Sequence, residues 1–142
     1  MDLAFEEAKH ARDRNEVPVG AVIVQNSKLI ASAGNQVLYP PDPTGHAEIL
    51  AIRKAVAILG TERLIDCDLY VTLEPCTMCA GAISLARIRR LYYGAPDEKG
   101  GAVEHGVRFF NQPTCHHAPE IYSGINEKAC KAILSDFFKE RR

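Results

Sequence analysis

A mixed α/β domain, with helices packed on both faces of a central sheet, is what this sequence predicts, and three observations carry the prediction. The chain has 142 residues, enough for one packed core. Stretches with apolar residues at helical spacing alternate along it with short β-branched or apolar runs. Two of those runs meet at a short polar turn, as antiparallel strands do, and two are joined through a helix, as parallel strands are, with a right-handed crossover. At 46% hydrophobic and 25% charged, with 10 Gly and 8 Pro, the composition is that of a soluble folded domain rather than a fibrous or disordered chain.

The elements follow in order. Residues 2–15 place Leu3, Ala4, Ala8 and Ala11 at helical spacing with charges between them, an amphipathic helix packed on a sheet, and Pro18 comes just after its end. Val17 to Gln25 and Leu29 to Gln36 read as strands joined at Asn26-Ser27-Lys28. After a Pro-rich loop from Tyr39 to Thr44, His46 to Leu59 sets Ile49, Leu50, Ile52, Val56 and Leu59 along one side and stops at Gly60, a second helix. Cys67 to Leu73 is a strand, Cys76 to Ala86 a helix and Ile88 to Tyr93 a strand. Residues 95–125 have weak periodicity and are expected to be irregular. The last helix runs from about Glu127 to Arg142 with Asn126 as its N-cap, and its stripe is Ala129, Ile133 and Phe137 with Leu134 beside it. No repeat, linker or low-complexity tract divides residues 1–142, so one domain is expected.

Lys plus Arg (17) against Asp plus Glu (18) leaves a net charge of −1, so no global field draws the protein to nucleic acid or membrane, and any RNA contact must be local. From Lys128 onward five basic residues face two acidic ones, and Arg87, Arg89 and Arg90 cluster separately. Either patch is able to neutralise phosphates, though such clusters are more often solvated faces. The acidic start lacks the order of a secretory signal, and no apolar run approaches the ~20 residues that span a bilayer, so a cytoplasmic protein with no membrane partner is expected.

Five cysteines are odd in number, and two sit three apart in Pro75-Cys76-Thr77-Met78-Cys79, which suits metal or redox chemistry better than a disulfide framework. This segment and His46-Ala47-Glu48 both open helices. The free N–H groups and positive dipole end of a first helical turn favour thiolate, and Pro75 costs nothing where its missing N–H has no partner. Two thiolates and an imidazole form a soft N/S set matched to Zn²⁺ at ~2.0–2.3 Å. They supply three ligands, the number that leaves a position open for water and therefore points to catalysis. Glu48, two residues from His46, is placed to move that water's proton. Residues i and i+2 do not share a face of a regular helix, so His46 must reach the metal from the irregular start of its helix.

Other readings stand beside this one. Cys76 and Cys79 are also the spacing of a thiol–disulfide pair, which leaves His46 and Glu48 unexplained. A structural zinc site needs a fourth ligand from among Cys67, Cys115, His116, His117 and Cys130, of which Cys115-His116-His117 is the best placed. Cys67 and Cys130 read more simply as small buried side chains, and His10 and His105 as solvent-facing.

His46-Ala47-Glu48 combined with Pro75-Cys76-x-x-Cys79 resembles the zinc-dependent cytidine and deoxycytidylate deaminase superfamily. Glu16-Val17-Pro18-Val19-Gly20-Ala21-Val22, Asp42-Pro43-Thr44, Thr72-Leu73-Glu74-Pro75-Cys76, Gly94-Ala95-x-Asp97 and Leu134-Ser135-Asp136-Phe137-Phe138 are similar to its branch acting on adenosine in bacterial tRNA. The resemblance spans nearly the whole chain. It implies a three-layer α/β/α cytidine-deaminase-like fold with a central mixed sheet of about five strands, Zn²⁺ held by His46, Cys76 and Cys79, and Glu48 as proton shuttle. The implied reaction is hydrolytic deamination of adenosine to inosine at the wobble position of a tRNA anticodon stem-loop, with zinc-activated water, in a homodimer. The resemblance also implies substrate contacts at Asn35, which is equally able to be a turn-forming residue after Gly34, and at Asp97 and Lys99. An unpaired base is expected to stack on Phe138, since Phe137 belongs to the apolar stripe. The rivals are a free guanine, cytosine or nucleoside deaminase of the same fold, a thiol oxidoreductase, and a noncatalytic zinc-stabilised RNA-binding module.

Overall fold

The computed structural model describes residues 1–141. Its elements are α1 (Asp2–Asp13), β1 (Gly20–Gln25), β2 (Lys28–Gly34), α2 (Ala47–Leu59), β3 (Cys67–Leu73), α3 (Thr77–Leu85), β4 (Arg90–Ala95), a 3-10 turn (Phe109–Asn111), β5 (Glu120–Tyr122) and α4 (Glu127–Lys139). The five strands lie in the order β2-β1-β3-β4-β5. β1 runs antiparallel to β2 and β3, whereas β3, β4 and β5 are mutually parallel, so the sheet is mixed as expected.

α1 and α4 cover one face and α2 and α3 the other, which completes the three layers. The larger core lies under α2 and α3. Ala47, Ala51, Ala55, Ala80 and Ile83 meet Ile23, Leu69, Val71 and Leu91 there, all with no exposed surface. Burying one such Leu, Ile or Val contributes roughly 1.5–3 kcal/mol. On the opposite face Ala4, Ala8 and Ala11 are fully buried. α1 approaches β1 so closely that a Cβ on Gly20 would run into the Ala4 carbonyl oxygen, which only glycine avoids.

Several expected boundaries shift for local reasons. β1 starts at Gly20 rather than Val17, because Pro18 has no N–H to give a ladder and Val19 N–H turns back to the Val17 carbonyl at 2.8 Å. The hairpin turn is made by Asn26 and Ser27, both at positive φ (50° and 63°), the geometry that matches the twist of the flanking strands. α1 stops at Asp13, followed by Asn15 at φ 63°.

β4 occupies Arg90–Ala95 rather than 88–93, because Ile88 N–H is still bound to Ile83 O of the preceding helix. Asn126 holds the cap position of α4 but makes no side-chain cap bond; it stands at φ 58°, a backbone region Asn tolerates better than most residues. α4 ends at Lys139, and Arg142, at the end of the expected helix, lies outside the described residues. Within residues 95–125, expected to be irregular, β5 adds a fifth strand. Its three residues are all exposed, too short and too one-sided to leave a periodic pattern.

Candidate active site

His46 and Cys76 each occupy the residue before a helix, in extended backbone (φ −74°, ψ 148° and φ −74°, ψ 177°), while Cys79 sits in the first turn of α3. Because His46 stands outside α2, it and Glu48 escape the i,i+2 divergence of a regular helix. Both line one cleft of about 310 Å³, together with Asn35, Glu74, Cys76 and Asp97. Leu73 and Glu74 at the end of β3 and Asp97 just beyond β4 place the cleft at the carboxyl ends of the parallel strands, where open α/β sheets bind ligands.

His46 Nδ1 lies 3.5 Å from both Cys76 Sγ and Cys79 Sγ. Ligands on a tetrahedral ion at ~2.0–2.3 Å stand roughly 3.6 Å apart, so the spacing and the donor set both fit zinc. Among the described residues this is the one group of three or more His, Cys, Asp or Glu whose ligand atoms lie within 4.8 Å of one another. The hydrogen bond from Cys79 holds the Cys76 thiol down to about 4, with His46 adding to the effect against burial. The same bond pushes Cys79 up, and the Cys76 thiolate raises His46. Glu48 is 4% exposed, and burial, reinforced by the Cys76 thiolate, pushes its carboxyl up to about 7.

Cys115, His116 and His117 are not part of this cluster. The Cys115 thiol donates to the His117 carbonyl at 3.1 Å and faces Ser84 Oγ, His117 Nε2 reaches the Ile88 carbonyl at 2.7 Å, and His116 is exposed. These contacts tie a loop to α3. Cys67 and Cys130 are buried as expected.

Asn35 is not a turn former. Its N–H donates to the Val19 carbonyl at 3.0 Å, its own carbonyl accepts from Arg14, and its side-chain oxygen accepts the Ala47 N–H at 2.9 Å. What it has left to offer a ligand in the cleft is its side-chain NH₂. Asp97 Oδ1 accepts the Lys99 and Gly100 N–H groups at 3.1 and 2.9 Å, shaping its own loop. Asp97 and Lys99 line an adjoining cavity of about 1080 Å³ together with Lys131, Leu134 and Phe138 of α4 and Arg141 just beyond it. Phe138 is 49% exposed and Phe137 4%, as the stripe requires.

The second basic cluster behaves differently. Arg89 is paired with Asp68 at 3.0 and 3.1 Å, Arg90 with Glu120 at 3.1 Å, and Arg87 with the Ser84 carbonyl at 3.2 Å. Arg90 pairs in register with Asp68, whereas Leu73 and Ala95 mark the cleft end. At ~3.3 Å per residue the cluster is roughly 17 Å from that end.

Sequence reasoning missed how Glu74 is used and placed His105 in solvent. Glu74 is 2% exposed, and its two oxygens collect the N–H groups of Asp97, Val103, Glu104 and His105 together with His105 Nδ1 at 2.8 Å. A Glu before Pro-Cys carries no periodic signal of such a role. Burial alone would push this carboxyl up, but the Asp97 N–H, the His105 ring and the Glu104 and Val103 N–H groups outweigh it and hold it below 4.5. The same bond raises His105 above its ordinary 6.5. A raised histidine contributes stability fully below 6.5 and loses it as pH climbs through its folded value. The gap in thermal midpoint between wild type and His105→Ala is therefore expected to narrow above pH 6.5, and a gap constant from pH 6 to 9 would contradict the ion pair.

Residues 1–95 match the model of the cytidine and deoxycytidylate deaminase zinc-binding region, and the chain belongs to that family. Its relatives include the tRNA-specific adenosine deaminase of Agrobacterium fabrum, 62% identical over all of this chain and 93% of that protein, and that of Bacillus subtilis, 44% identical over all of this chain and 88% of that one. A solved structure from a study of A-to-I editing by tRNA:A34 deaminases at the wobble position is 63% identical, with a TM-score of 0.93 over 94% of this chain and 97% of that one. A guanine deaminase from Nitrosomonas europaea shares the fold, with a TM-score of 0.80 at 23% identity over 94% of this chain and 80% of the other.

Proposed function

We propose that this protein deaminates adenosine to inosine at the wobble position of a tRNA anticodon stem-loop. The observation that carries the reading is the joining of two spaces. The inner cleft, lined by His46, Cys76 and Glu48 with Cys79 buried beside them, is of a size for a base, and it adjoins a larger cavity bearing Lys99, Lys131, Arg141 and the exposed Phe138 ring. Cationic side chains and one open aromatic face are what a single-stranded nucleotide chain needs. A site for a free base needs neither. The full-length likeness to tRNA-specific adenosine deaminases supports the same substrate.

His46, Cys76 and Cys79 would hold Zn²⁺, which when bound would lower the pKa of a coordinated water toward ~7. Glu48, whose burial makes it a willing proton acceptor, takes a proton from the attacking water, delivers it to purine N1, and assists departure of the amine as ammonia. Water adds at C6 and the C6–N6 bond breaks, so adenosine and water give inosine and ammonia. The Asn35 NH₂ orients the purine. Asp97 and Lys99 meet the flanking nucleotides, and Phe138 stacks one of them. The exposed Met78 and Leu85 on α3 and Ile58 on α2 are apolar surface suited to cover by a second copy, in a cytoplasmic homodimer.

Purified protein is tested with synthetic anticodon stem-loops bearing A or C at the wobble position, followed by nucleoside analysis. Inosine from the A substrate, with no uridine from the C substrate and no turnover of free guanine, cytosine or adenosine, is the expected result. Turnover of a free base with none of the stem-loop would establish the rival deaminase. Stem-loop binding without product would leave a noncatalytic module.

A further inference from the structure

We propose that Glu74 is a positioning residue for this site, acting through the 97–105 segment that forms one wall of the cleft. The inference rests on the tRNA-deaminase reading for its substrate. Glu74 lines the cleft, yet its carboxylate bonds away from His46, Cys76 and Cys79. Oε1 accepts the Asp97 N–H at 3.0 Å and meets His105 Nδ1 at 2.8 Å, while Oε2 accepts three consecutive N–H groups, from Val103, Glu104 and His105, at 3.1, 3.0 and 3.1 Å. Converging backbone N–H groups make an anion-binding concavity, and here the anion is the protein's own.

The segment is laid directly over this carboxylate. A Cβ on Gly101 would lie 2.6 Å from the Glu74 carboxyl carbon, so a side chain there would force the two apart. Between Ala95 and the turn at Phe109 there is no helix or strand to fix the chain. Its other ties include Ala102 N–H to the Pro75 carbonyl at 2.9 Å, Phe109 N–H to the Ala102 carbonyl at 2.7 Å, and the Tyr93 hydroxyl of β4 donating to the Glu104 carboxylate. Asp97 and Gly100 line the inner cleft, and Asp97, Lys99 and Gly100 line the larger cavity. One buried side chain therefore sets the position of the surface on which the substrate's flanking nucleotides rest, without touching a reacting atom.

A residue that acts through the wall changes substrate binding; one that merely braces the turn before Cys76 changes the metal. Glu74→Gln keeps the volume but puts an NH₂ where N–H groups now donate. Zinc content, kcat and KM on the stem-loop, and amide hydrogen exchange at Asp97, Val103, Glu104 and His105 are to be measured together. KM is expected to rise about tenfold or more, with kcat within about threefold, a full equivalent of zinc, and faster exchange at those four amides. Unchanged KM, or lost zinc and kcat at constant KM, would overturn the proposal.

If Glu74→Gln does not fold, the test passes to the other end of the contact. His105→Ala is expected to speed exchange and raise KM, and His105→Asn, which restores a side-chain N–H donor, to recover both; no change, or no recovery, counts against it. Wild type that forms no inosine from the stem-loop would sink the substrate assignment. The exchange rates would still report on the Glu74 anchor by themselves.

Discussion

Glu48→Gln is expected to cut ammonia release by about 10⁴-fold while leaving zinc bound, since general acid–base catalysis is worth typically 10²–10⁴ and Glu48 handles the proton in more than one step. The substitution keeps the side-chain volume and removes only the ability to take up and return a proton. Glu48 is outside the His46/Cys76/Cys79 group, so metal content measured by elemental analysis should stay at one per chain. Stability should not fall. Burial already penalises the ionised form of Glu48, and a neutral amide carries no such cost. A variant that is folded, zinc-loaded and turns over within tenfold of wild type would end the shuttle assignment.

The second large effect concerns the ligands. Cys79→Ala removes one of the three proposed donors and is expected to leave far less than one zinc per chain, with turnover falling to background. Cys79 has no exposed surface, so the loss is not a surface effect. Cys115→Ala supplies the contrast. Its thiol is spent on the His117 carbonyl and faces Ser84, so zinc and turnover should be unchanged. Zinc loss on replacing Cys115 would restore the structural four-ligand site. A wild-type protein whose activity survives complete zinc removal and tracks the Cys76–Cys79 redox state would instead make it a thiol oxidoreductase.

The four helices, four of the five strands and the parallel crossover were legible in the sequence, because amphipathic spacing and β-branched runs are local patterns. β5 was not: three exposed residues at a sheet edge bury too little to impose a pattern, and they are strand only because β4 offers them a register. Asn126 was placed at the right position for the wrong reason, since its backbone geometry rather than a side-chain bond ends the preceding loop. Arg89 and Arg90 looked like free cations because Asp68 and Glu120, which neutralise them, lie 21 and 30 residues away.

By itself the sequence determined which donor types are available and the family resemblance they carry. Donor atoms belong to residue types, and His46, Cys76 and Cys79 offer a soft N/S set, which the fold then brings within 4.8 Å of one another. Only the tertiary structure decided what surrounds that chemistry: that Asn35 spends its oxygen on Ala47, that Asp97, Lys99 and Phe138 share one cavity, and that Glu74 and His105 fasten its wall. Those facts depend on which hydrogen-bonding groups meet across 12 to 31 residues of chain, and such meetings are set by packing and burial rather than by any local spacing.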